Sequence, residues 1–197
     1  MTVVGVTGKY CAGKNMAAEI LRTAGYAEID VDSLGHEALT VERDRIIDSF
    51  GSAVALPDGE VDRKRLGRIV FSNSKELRRL ESIVHPTMVA MVRERISGHR
   101  AAEPQPRGVV VNAAILFRMK LTELCDLVLY LHAPFWIRYA RARERDNASF
   151  LQIVRRFGSQ RDVSPQFSGR DADIHSVKND GSPEQLRLKL KSLLPLP

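Results

Sequence analysis

Cysteine is scarce in this 197-residue chain, which has two in all. Cys11 and Cys125 lie far apart, and neither has a second cysteine or a histidine at metal-ligand spacing. This excludes a disulfide-stapled scaffold and a cysteine-based zinc module, and it suits a reducing compartment. Proline is also limited, at nine residues, and no repeat or low-complexity tract occurs, which argues against a disordered or fibrous chain. No apolar run approaches the ~18 residues of a membrane span. The opening "MTVVGVTG" lacks a basic stretch followed by a long apolar one. A cytoplasmic protein, neither exported nor anchored, is the expectation.

What is present is the composition of an ordinary globular protein, 44% hydrophobic and 27% charged. A chain of this length folds as one compact domain and buries roughly 70% of the surface that it exposes when unfolded. The net charge of +6 admits nucleic acid, an anionic membrane surface or polyphosphate ligands as partners. Most of the basic residues are arginines, notably in "RYARARER" at 138–145 and in the pair at 155 and 156. The planar guanidinium fork matches phosphate oxygens, although arginines also populate solvated helix faces.

The chemistry concentrates in "GKYCAGKNM", residues 8–16. It follows an apolar β-branched run and precedes a helical pattern that ends near Gly25. Gly8-x-x-x-x-Gly13-Lys14 is the spacing of a phosphate loop: glycines let backbone amides curl around phosphate oxygens, and the following helix adds positive potential at its N-terminus. Gly8, Cys11, Ala12, Gly13, Lys14, Asn15 and Met16 are therefore candidates for a bound nucleotide, Cys11 only through its backbone. Asn15 stands where such loops place a magnesium-binding hydroxyl. Its amide oxygen is a hard donor, so the expectation is a working loop with altered metal geometry.

Further along, "YAEIDVD" reads as a second strand that leaves Asp30 and Asp32 at its end and on the same side. "SLGHEALTVERDRIIDSFG" reads as one helix closed by Gly51. A Pro-Asp-Gly turn precedes a helix carrying Leu66, Ile69 and Val70, and residues 74–98 read as two helices broken at Pro86. "VVVNAAILF" and "DLVLYLHA" read as strands, followed by an arginine-rich helix over 135–145 and a basic helix near 148–160. "IHSVKND" reads as a last strand, and a closing helix begins at Ser182 and Pro183. Alternating strands and helices predict an α/β fold, a parallel sheet of about five strands flanked by helices, with ligands at the strands' carboxyl ends.

With those elements in place, the sequence resembles the dephospho-CoA kinase family. The resemblance rests on "DGEVDRKRLGRIVFSNSKELRRLESIVHPTMV" at 58–89, on "EIDVDSLGHEAL" at 28–39, "ILF" at 115–117, Arg141, Arg145 and Asp146, and "NDGSPEQL" near the end. It implies a P-loop kinase fold in a single domain, with a helical acceptor-binding insertion at about 33–100 and a lid at about 147–172. It implies ATP and Mg2+, dephospho-CoA as acceptor, and no nucleic-acid or membrane partner. Asp32 matches the family's base toward the ribose 3'-hydroxyl, although an aspartate there also caps a helix. Asp30 supports magnesium or caps the strand end, with Asn15 the other metal candidate. Lys14 stabilises the migrating phosphoryl group, and Arg145 is the nucleotide contact at the base of the lid, with Arg141 beside it. Asn179 and Gly181 fall where the family holds adenine. His85, Leu116 and Phe117 fall at the acceptor pocket, His85 equally as a structural residue before proline. Arg155, Arg156 and Arg161 add charge from the lid or simply face solvent.

This chain also departs from the family pattern. Asn15 and Met16 replace a Ser/Thr-Thr pair, Lys9 replaces a loop glycine, Asn112 replaces an acidic residue, and Ala114-Ile115-Leu116-Phe117-Arg118 replaces a Pro-Leu-Leu-x-Glu pattern. These changes fall on the metal site and the acceptor pocket. Two other readings stand beside the resemblance: a P-loop kinase of another nucleoside, nucleotide or small alcohol, and a weakly catalytic nucleotide-binding protein.

Overall fold

Five short apolar runs become the strands of one sheet: β1 (Thr2–Gly8), β2 (Tyr26–Asp30), β3 (Gly108–Asn112), β4 (Leu127–His132) and β5 (Asp173–Lys178). The computed structural model describes residues 1–146 and 173–194. The lid expected at 147–172, with Arg155, Arg156 and Arg161, lies outside them. The strand order is β2-β3-β1-β4-β5 and every pair is parallel. β1 and β3 are buried almost throughout because helices cover both faces of a central parallel strand, which is why these runs do not alternate in polarity.

One face of the sheet shows how the sequence builds its core. Val4 and Val6 of β1 and Leu127, Leu129 and Leu131 of β4 recur every second residue, so they point to the same side. There they meet Ala17, Ala18 and Leu21 of α1 (Lys14–Thr23) and Leu186 and Leu190 of α7 (Pro183–Lys191). Each buried leucine contributes roughly 1.5–3 kcal/mol relative to an exposed one. α7 starts as expected, with Pro183 in its first turn and a reciprocal capping box between Ser182 and Gln185. On the other face the small Gly5 leaves room for Leu116 and Cys125: a Cβ at position 5 would lie 2.9 Å from Leu116 Cδ1. Burial pushes the Cys125 thiol up to about 12, so it is a packing residue and not a nucleophile.

Contacts divide the chain into two units, Met1–Asp30 with the described residues from Arg95 onward, and Val31–Glu94. The first holds the sheet, α1, α6 (Phe135–Asp146) and α7. The second is helical: α2 (Val31–Val41), α3 (Arg43–Phe50), α4 (Arg63–Ser72) and most of α5 (Ser74–Ala101).

Several boundaries differ from expectation. β2 ends at Asp30, and Val31, 1% exposed, already belongs to α2. Asp32 therefore lies in a first helical turn and does not share a strand face with Asp30. The expected single helix up to Gly51 is two, because the chain turns at Glu42, whose carboxylate accepts from Thr87 and Arg45. That bonding, Thr87 first, holds the Glu42 carboxyl below its ordinary range. α5 runs through Pro86 without ending, so His85 is mid-helix rather than terminal. Val84, Met88, Val92 and Ile96 are buried at spacing four across the proline, and an apolar stripe of that length outweighs one missing backbone donor. β3 stops at Asn112, and 114–117 is turn rather than strand. The Pro-Asp-Gly turn forms as expected, and Asp62 caps α4 by accepting from the amides of Lys64 and Arg65.

Candidate active site

The carboxyl ends of the strands carry Gly8, Asp30, Asn112, His132 and Lys178, all within the first unit. β1 is the central strand, so the loop that follows it opens in the middle of that row. Gly8 is required by its neighbour: a Cβ there would sit 2.3 Å from the carbonyl oxygen of Leu131 on β4. The chain then folds back, with the Ala12 amide donating to the Lys9 carbonyl at 2.9 Å. Cys11 takes a left-handed conformation at φ 58° and Gly13 another at φ 99°. Two such residues in three close the tight curl that aims successive amides inward.

α1 begins at Lys14, and its first helical bond runs from the Ala17 amide to the Gly13 carbonyl, 3.0 Å. No side chain caps this end, and its first turn holds no acidic residue. The positive end of the helix is therefore left for an anion. Asn15 is exposed, while Met16 packs against the core cluster and offers only its backbone. Alanine at position 13 is expected to destabilise the protein, since the left-handed conformation costs a non-glycine residue about 1–2 kcal/mol. Its Cβ would also lie 2.0 Å from Asn179 Nδ2. A lowered Tm together with weakened ATP binding is the outcome to measure.

Arginines of α6 reach the loop from one helix face. Arg141 Nη1 donates to the Asn179 carbonyl at 3.2 Å, and the Arg145 guanidinium lies 5.1 Å above the Tyr10 ring. Arg138, one turn earlier, donates to the Ala133 carbonyl, and burial lowers the pKa of its guanidinium from the ordinary value. Arg138, read only as part of the run at 138–145, and Tyr10 were not expected at the site. The 138, 141, 145 spacing was a usable signal, because residues three and four apart share a helix face. Tyr10 carried no such signal, because only the fold brings α6 over the loop.

At the neighbouring strand ends, Asn112 donates from Nδ2 to Glu28 Oε1 at 2.8 Å and pairs in register with Asp30. His132 is held below its ordinary pKa by burial and then by Lys178. Lys178 and Lys189 together hold Asp180 at about 2, the Lys178 hydrogen bond contributing most. Among the described residues no group of three or more histidine, cysteine, aspartate or glutamate side chains could hold a metal ion.

Comparison with known proteins decides what this loop belongs to. A model of the dephospho-CoA kinase family matches residues 2–184. The chain belongs to the dephospho-CoA kinase family. It is 32% identical to the dephospho-CoA kinase of Treponema pallidum, over 98% of this chain and 93% of that protein. It is 31% identical to that of Geobacter sulfurreducens, over 98% and 97%. Among solved structures, the dephospho-CoA kinase from Campylobacter jejuni superposes with a TM-score of 0.66 at 25% identity, covering 97% of this chain and 94% of that one. The architecture is the P-loop kinase fold, as expected.

Against the dephospho-CoA kinase pattern, the expected site residues separate into groups. Gly8, Cys11, Ala12, Gly13, Lys14, Asn15 and Met16 form the loop and the first turn of α1, with Asp30, Arg141, Arg145, Asn179 and Gly181 in the same unit. Gly181 leaves room for the Gln185 side chain of the α7 capping box, whose Oε1 would be 1.7 Å from a Cβ there. Leu116 is fully buried and packs at Gly5. Phe117 is half-buried, 6.4 Å from the Tyr130 ring. Asp32, exposed, and His85, half-buried, belong to the Val31–Glu94 unit.

Proposed function

We infer that this chain transfers the γ-phosphoryl group of ATP to the ribose 3'-hydroxyl of dephospho-CoA, giving coenzyme A and ADP, the last step of coenzyme A synthesis. The observation that carries this reading is the family match over residues 2–184, on a loop whose curl and uncapped helix suit a polyphosphate.

Phosphoryl transfer asks for in-line placement and neutralised charge more than for covalent chemistry. Backbone amides of 8–16 wrap the phosphates, and Lys14 follows the charge on the outer ones. Arg141 and Arg145 contact the nucleotide from α6, and the segment after Asn179 takes the adenine. His85 and Phe117 are acceptor contacts. Asp32 accepts the proton of the 3'-hydroxyl as that oxygen bonds to phosphorus and ADP leaves.

Asn15 and Asp30, both exposed, offer an amide and a carboxylate oxygen, the hard donors that magnesium takes alongside phosphate and water. These two residues would hold the ion. Bound there, magnesium neutralises phosphate charge. Asn15→Ser, which places a hydroxyl at that position, is expected to raise magnesium affinity or turnover. If a magnesium titration of the transfer rate is unchanged in the variant, Asn15 is not a metal ligand.

No described helix is long and apolar enough to cross a membrane. Residence in the cytoplasm is part of this proposal, as is a small-molecule rather than nucleic-acid partner. A magnesium-dependent transfer assay from ATP to dephospho-CoA, beside nucleosides and nucleoside monophosphates, tests the whole reading. Transfer to another acceptor in preference to dephospho-CoA would overturn it.

A further inference from the structure

Asn179 follows β5, is 1% exposed, and bonds in three directions. Its backbone amide donates to the His132 carbonyl at 2.8 Å, which carries the β4–β5 pairing one residue past the strand. Its carbonyl accepts from Arg141. Its side-chain Nδ2 donates to the Ala12 carbonyl inside the glycine loop at 2.9 Å, a buried bond between residues 167 apart in sequence. Gly13 makes that approach possible, because any side chain there would occupy the position of Nδ2.

The Ala12 carbonyl and the Gly13 amide share one peptide plane, and in a trans peptide they point in opposite directions. Fixing the carbonyl toward Asn179 therefore fixes the Gly13 N–H away from it. We propose that Asn179 is a positioning residue: its side chain ties the loop to the end of β5 and sets the Ala12–Gly13 peptide for phosphate before nucleotide arrives. This rests on the ATP reading above, and it gives the Asn179 side chain a different task from holding adenine. An amide held in place beforehand spares the ligand the entropy of ordering it. The remaining polar atom, Oδ1, is buried with no hydrogen-bond partner among the described residues, so contact with the base is the rival that the test must separate.

The experiment measures affinity for ATP and for inorganic tripolyphosphate by calorimetry, in wild type and in Asn179→Ala and Asn179→Asp. Aspartate keeps the shape but, when ionised, turns the donor into a charge that repels the Ala12 carbonyl. Both ligands are expected to weaken by the same factor, roughly tenfold for one lost buried bond. A loss confined to ATP would assign the side chain to adenine and overturn the proposal. A lowered Tm with both affinities unchanged would overturn it too, leaving Asn179 only a stabilising residue. If neither variant folds, NMR of the free wild type decides: the Asn179 side-chain amide protons should exchange slowly and couple to the Ala12 carbonyl, and solvent-rate exchange would refute the tie. A wild type that binds neither ligand removes the nucleotide reading instead, while the NMR signature still tests the tie by itself.

Discussion

Lys14→Ala is expected to lower phosphoryl transfer by about a thousandfold, the scale found when one preorganised charge-stabilising group is removed from a transition state. Lys14 is the first residue of α1, directly after the left-handed Gly13, so the turn that shapes the loop also sets the origin of this side chain. Lysine's ammonium stays beside the phosphoryl group as it passes from the β–γ bridging oxygen to the acceptor and ADP leaves with the bond's electron pair, so the loss falls mainly on kcat. The fold should not change, because position 14 is half-buried and the core cluster under α1 is built from Ala17, Ala18 and Leu21. A steady-state assay with dephospho-CoA, and a Tm within a degree or two of wild type, would check both halves. Turnover within tenfold of wild type would mean that the loop is not a catalytic phosphate site.

The second large effect is expected at Asp32. Asparagine is the same size but cannot accept the hydroxyl proton, and general-base removal costs on the order of 10²- to 10⁴-fold in rate. Asp32 also lies in the first turn of α2, where a negative charge favours the helix dipole. The two roles separate experimentally. If Asp32 is the base, Asp32→Asn loses turnover and keeps its ATP affinity and nearly all of its stability. If Asp32 serves only the helix, the variant loses about 0.3–1 kcal/mol of stability and keeps its turnover. Measuring kcat, ATP affinity and Tm on one variant decides between them.

Local patterns were legible where a single element determined them. The glycine spacing, the apolar runs of β1, β3 and β4, the helix start at Ser182 and Pro183 and the Pro-Asp-Gly turn all depend on residues within a few positions of one another. The misreadings share one cause. Pro86 was read as a break from its own missing donor, but the buried stripe through Met88 and Val92 carries α5 past it. Val31 was read as strand from the Asp-Val-Asp alternation, yet it is buried at the start of a helix.

The sequence by itself determined that a phosphate loop follows the first strand, that the fold is parallel α/β, and which family it resembles, because short-range spacing and backbone preference are written in consecutive residues. Only the tertiary structure decided what surrounds that loop: Arg145 over Tyr10, Arg141 on the Asn179 carbonyl, and Asn179 on Ala12. Those partners come from strand order, which sets β4 beside β1 and β5 beside β4 and brings residues far apart in the chain within hydrogen-bonding distance. Pairing across a sheet depends on the packing of the whole domain, and no window of neighbouring residues encodes it.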